Sequence, residues 1–130
     1  ARGLRLIVQM RLIDHRHEYH AMKIKPVPAA DLAALLDRHP RLAVLASGLL
    51  QPELRKWLPL YPQLLADLTF AEWYDTLNHL REKVAARQLV FASHTPLLIT
   101  AAARAKLDPS TRSKTERLAI ASGNLDRWLP

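Results

Sequence analysis

The sequence predicts an α/β fold of four parallel strand-helix units, half of a (βα)8 barrel, with an extra C-terminal helix. Three observations predict it. Short apolar, branched runs recur along the chain, helical patterns with their own start and stop signals lie between them, and most connections are short. Near-continuous apolar runs suit strands covered on both faces, and a right-handed crossover after each strand makes neighbouring strands parallel.

The first strand is read near residues 4–13, where Leu4 to Ile13 (LRLIVQMRLI) is too short and too β-rich to prefer a helix. Asp14 to Val27 follows as a long polar, His-rich loop, longer than the roughly 2 to 6 residues usual after a strand, and loops of that length serve as lids or substrate loops. Pro28 to His39 repeats Leu32, Leu35 and Leu36 at helical spacing and stops at Pro40. A second strand near 42–50 (LAVLASGLL) precedes a short helix from about Pro52 to Leu60, which ends before Pro62. The third strand, near 63–70 (QLLADLTF), is the weakest of the four. Ala71 to Arg87 is the clearest helical pattern, with Trp73, Leu77, Leu80 and Val84 as a core stripe and Glu72 near its positive end. The fourth strand, near 88–94 (QLVFASH), leads to helices over Leu97 to Leu107 and Ser110 to Ser122, the latter capped by Ser110 or Thr111 and stopped by Gly123. Trp57, Trp73 and Trp128 are assigned to helix packing.

At 130 residues, with 49% hydrophobic and 24% charged side chains, the chain has the composition of one ordinary globular domain. No apolar run approaches the roughly 20 residues of a membrane span, and Ala1-Arg2-Gly3 does not open a signal peptide, so no membrane partner and a cytoplasmic location are expected. Cysteine is absent, which excludes disulfides, thiolate metal sites and cysteine nucleophiles. The net charge of +7 would suit an anionic partner. Its carriers are scattered, without a basic block or interleaved aromatics, and this argues against nucleic acid.

Function in a parallel barrel gathers where the strands end, and each apolar run here ends in polar side chains. These are Gln9, Arg11 and Asp14, then Ser47, then Asp67 and Thr69, then Ser93 and His94. A period of two puts Gln9 and Arg11 on one strand face and Val8 and Met10 on the other. Arg11 on an inward face needs an anion, which could be Asp14, Asp67 or a substrate carboxylate. His15, His17 and His20 beside Asp14 and Glu18 have metal-like density, yet spacing alone does not show convergence. A solvated loop, a lid and a metal site all remain open for them.

The segment LVFASHTP, Leu89 to Pro96, resembles the last barrel strand of the amidohydrolase-related proteins, which commonly ends Gly-Thr/Ser-Asp-x-Pro. His94 stands where that Asp would be. The tail from Gly123 to Leu129 (GNLDRWL) is similar to the family's closing Gly-Asn element, and HPRLAVLASG, His39 to Gly48, resembles a strand that normally ends in His, with Ser47 at that position. Gln9 is the nearest counterpart of the His closing the family's fifth strand. The resemblance covers nearly the whole chain and makes it the C-terminal half of a TIM barrel. It implies a hydrolase using a divalent metal such as zinc, with several ligand positions substituted here and the metal left undetermined.

The resulting expectation is hydrolysis of a small carboxylate-bearing or cyclic substrate, a lactone or amide, by activated water. His94, Arg11 and Asp67 are the catalytic candidates, with His94 as base or ligand and Arg11 as carboxylate clamp. Gln9, Asp14, His17, His20 and Ser47 are the substrate-binding candidates. The alternative is a catalytically silent half-barrel used for binding or assembly. Four strands cut from a barrel would leave two unpaired edges, to be met by a homo-oligomer or by the missing half.

Overall fold

The structure, a computed structural model, describes residues 3–13, 21, 24–107 and 113–130. The elements run β1 (Arg5–Gln9), α1 (Ala29–Arg38), β2 (Ala43–Ser47), α2 (Gln51–Trp57), β3 (Leu64–Asp67), α3 (Thr76–Arg81), β4 (Leu89–Val90), α4 (Thr100–Ala105), α5 (Lys114–Leu118) and α6 (Asn124–Trp128). All pairings are parallel and the strand order is β1-β2-β3-β4, the α/β arrangement the apolar runs predict.

The side-chain period of two divides the sheet into two layers. Val44, Ala46, Leu64, Ala66 and Leu89 share one core with Leu32 and Leu36 of α1, Leu54 of α2 and Leu77 and Leu80 of α3. On the other face Leu45 and Val90 are buried with Trp128, and Ala43, Leu65 and Leu125 pack against them. The chain's last helix therefore covers the inner face.

The strands are shorter than the apolar runs, since the residues after each strand turn into the loops at its carboxyl end. α3 begins at Thr76 and not at Ala71. Asp75 is left-handed at φ 56°, and the Thr76 hydroxyl bonds the carbonyls of Ala71 and Trp73, closing a turn where a first helical turn was expected. Trp73 is accordingly 60% exposed, outside the core stripe that Leu77, Leu80 and Val84 do form. Gly123 does not end the last helix. Its φ is −59°, and α5 continues through a π turn, Ala119–Gly123, into α6. Ser110 and Thr111 lie outside the described residues, and the cap of α5 is Ser113, whose hydroxyl accepts from the Glu116 N–H while Glu116 reaches back to the Ser113 N–H.

The two edges of the sheet are unlike. Leu68 N–H donates to Val90 O, so Val90 faces β3 and the backbone groups of Leu89 and Phe91 point outward. Both are taken. The Asn124 amide donates to Leu89 O at 2.7 Å, and Phe91 N–H donates to Ile120 O at 2.8 Å. That carbonyl is free because, in the π turn, Asn124 N–H bonds Ala119 O. At β1, Met10 N–H donates to Ser47 O, which directs Leu6, Val8 and Met10 toward β2 and Arg5, Ile7 and Gln9 outward. No described residue caps that side, and Leu4 (72%) and Ile7 (60%) are exposed there. The expectation of two free edges is thus corrected at β4, and among the described residues β1 is not covered on both faces.

Candidate functional site

Parallel strands deliver their carboxyl ends to one rim, and Gln9 and Ser47 are direct partners in register there, with Asp67 at the end of the next strand. Ser47 and Asp67 are buried. A buried carboxylate needs donors, and Asp67 Oδ1 accepts from the N–H groups of Gly48 and Thr69, both at 3.1 Å. It thereby ties the end of β2 to the end of β3.

Arg11 is 5% exposed, and its charge is met by a residue that the sequence reading did not name. Glu53, on α2, takes it in a two-pronged pair, Nη1 to Oε2 at 2.7 Å and Nη2 to Oε1 at 2.8 Å. Nη1 also donates to Gly48 O, and Glu53 Oε2 accepts from the Leu50 N–H at the start of α2. Gln9 Nε2 donates to Arg11 O at 2.7 Å. Of the anions proposed for Arg11, Asp67 is engaged with backbone N–H groups, and Asp14 lies outside the described residues together with His15, His17 and His20. The Arg11 Nε is buried without a partner.

Gly48 connects these groups to His94. At φ +83° it adopts a conformation that side chains resist, and a Cβ there would lie 3.1 Å from the Phe70 ring and 3.2 Å from Arg11 O. The bare backbone lets Phe70 close over the rim, and the Phe70 ring in turn packs on the His94 ring at 5.5 Å between centroids. His94, at φ 54°, sets Nε2 3.2 Å from Leu12 O, just past Arg11. The two catalytic candidates drawn from the first and last strands therefore meet at the same end of the sheet.

Beside this cluster lies a cavity of about 160 Å³ between the loops that follow β3 and β4, lined by Thr69, Glu72, Ser93, Leu98, Ile99 and Lys106 among others. Lys106 donates its ammonium to Leu68 O at 2.7 Å and Thr69 O at 2.8 Å, while the Thr69 hydroxyl is buried without a partner. Glu53 and Lys106 are the rim residues that sequence reasoning missed. Each acts through contacts some forty residues away, |i−j| of 42 and 38, and neither belongs to an apolar run. Among the described residues no three His, Asp or Glu side chains converge as metal ligands, so the described rim does not by itself fit a divalent ion.

No family model and no curated protein matches this sequence. Solved structures do. The chain superposes on 5-carboxyvanillate decarboxylase from Sphingomonas paucimobilis with a TM-score of 0.69 over 97% of its length at 16% identity, covering 49% of that protein. It also superposes on 2,6-dihydroxybenzoate decarboxylase, solved with 2,6-dihydroxybenzoate, with a TM-score of 0.55 over 72% of its length at 17% identity, covering 36% of that protein. Both are TIM-barrel enzymes of the amidohydrolase superfamily. The chain has the fold of part of a TIM barrel.

At these identities the likeness is one of fold, and the chain spans about half the length of the 5-carboxyvanillate decarboxylase and less of the other enzyme. Within a TIM barrel the rim just described is the end at which chemistry is done. No helix among the described residues is long and apolar enough to cross a membrane.

Proposed function

We propose that this chain is the C-terminal half of the barrel and supplies half the rim of an enzyme site that binds a small carboxylate-bearing or cyclic substrate and hydrolyses it with an activated water. The observation that carries this reading is the convergence of Gln9, Arg11, Ser47, Asp67 and His94 on one end of a parallel sheet. His94 is the proton-moving group, because an imidazole can both accept and give up a proton. The water oxygen then adds to the acyl carbon, and the same proton passes to the leaving oxygen or nitrogen. Gln9 and Ser47 position the substrate. Asp67 keeps the Gly48 and Thr69 backbone in place, and Arg11, held by Glu53, is a positioning residue whose remaining donors favour a carboxylate.

A second reading is loss of carbon dioxide from a small aryl carboxylate, favoured because both similar structures are decarboxylases by name. The test is to incubate the chain, and any longer protein that contains it, with a panel of lactones, N-acyl amides and aryl carboxylates including 2,6-dihydroxybenzoate, following substrate loss and product identity by chromatography. Turnover that falls by about 100-fold or more in His94→Ala, with the fold intact, supports the assignment of His94. Absence of both turnover and ligand binding across the panel would leave the silent-module alternative.

A further inference from the structure

The small cavity between the loops after β3 and β4 holds groups that the proposed proton transfer does not use. Thr69 and Ala103 are buried on its inner wall, while Glu72, Ile99 and Ala102 are exposed at its mouth. Thr69 is 2% exposed, and its hydroxyl has no hydrogen-bond partner among the described residues. The polar groups around it are committed elsewhere. Thr69 N–H donates to Asp67, the carbonyls of Leu68 and Thr69 accept from the Lys106 ammonium, and the Ser93 hydroxyl pairs with that of Thr95. A hydroxyl buried bare is destabilising, and an oxygen atom held in the cavity would relieve it.

Size and lining say what that oxygen belongs to. At about 160 Å³ the cavity is close to the volume of about 150 Å³ that accepts a benzene ring in an apolar core. Leu98, Ile99, Ala102 and Ala103 make its walls apolar. Glu72 and Lys106 contribute one charge of each sign, so no net charge draws in an ion, and moving a carboxylate into an apolar space is costly. We propose that this cavity is a binding pocket for a neutral alicyclic ring of about five or six atoms carrying one oxygen acceptor. The oxygen accepts from the Thr69 hydroxyl, and the ring lies against Leu98 and Ala103. The pocket's role in selecting substrates rests on the proposed activity. Ser93 lines the cavity and His94 follows it in the chain, so a substrate whose cyclic part is seated here extends toward the imidazole. At this position the cyclic substrates are favoured over the carboxylate-bearing ones.

Binding can be read apart from turnover. In amide NMR titrations of the full chain, cyclopentanone should shift the signals of Thr69, Leu98 and Ala103, with cyclopentene and cyclopentanecarboxylate each binding at least about fivefold more weakly. Thr69→Val keeps the branched shape without the hydroxyl and should abolish the preference for the ketone over cyclopentene. Ala102→Leu, at the exposed mouth, should block all three probes with an unchanged circular-dichroism spectrum. Absence of these shifts, or a ketone preference that survives Thr69→Val together with binding that survives Ala102→Leu, would overturn the proposal. Ketone binding in the expected pattern without turnover of any cyclic ester or amide would leave the pocket standing and remove the activity. Turnover of such substrates with a KM unmoved by Ala102→Leu would leave the activity standing and remove the pocket.

Discussion

The two edge strands of this sheet face the same physical problem and meet it differently. Outward backbone groups must be bonded or wetted, and an open edge invites another chain. At β4 the chain answers with its own last helix, where a π turn frees Ile120 O for Phe91 and Asn124 reaches Leu89 O and Ala86 O. Nearby, the Gln88 amide reaches the carbonyls of Leu58, Tyr61 and Leu64. At β1, among the described residues, the fastening lies beyond the strand, where Val27 N–H donates to Met10 O and Arg11 locks onto Glu53. A sheet edge is closed by particular polar groups on the element next to it, and apolar packing alone does not close one.

Breaking the β1 anchor should have the largest effect. Glu53→Ala leaves the guanidinium of Arg11 buried without its carboxylate and removes the acceptor for the Leu50 N–H. A loss of about 3 kcal/mol is expected, at the low end for a broken buried pair because the Glu53 side chain keeps some contact with water. Equilibrium urea unfolding measures it, and a loss under about 1 kcal/mol would show that Arg11 finds another partner.

Breaking the β4 cap comes next. Asn124 is buried, and Asn124→Ala leaves two carbonyls without their donor, at a cost of about 2 kcal/mol. It should also expose a second edge. Light scattering would then report aggregation or higher oligomers that the unmodified chain does not form, and a variant that stayed as soluble would break the comparison.

The layer order was legible in the sequence, because the runs at 42–50 and 88–94 and the stripe of Leu77, Leu80 and Val84 are local signals of burial. The rim was legible at Gln9, Ser47, Asp67 and His94 for a related reason. A polar residue that closes an apolar run in a parallel sheet has one end of the molecule available to it. Glu53, Lys106 and the role of Asn124 were not legible, since each is fixed by backbone groups tens of residues away. Gly123 misled because glycine is locally a stop signal, whereas here it sits inside a π turn whose purpose is a bond to another strand. Trp73 misled because helical spacing does not reveal that Asp75 turns the chain before the helix begins.

The exposed body of β1 should tolerate change best. Ile7→Thr is expected to shift stability by no more than about 0.5 kcal/mol, because the side chain is 60% exposed and Thr keeps the branched shape that strands favour. Amide exchange sharpens the contrast further. Among the described residues the amides of Arg5 and Gln9 have no backbone partner, whereas Phe91 N–H can exchange only after α5 and α6 leave the edge of β4, an event close to global unfolding. A ratio of about a thousandfold or more between the two sides is expected from a stability of about 5 kcal/mol. Equal exchange would mean that the helix lifts from β4 as readily as water reaches β1, and the two edges would then differ in geometry without differing in strength.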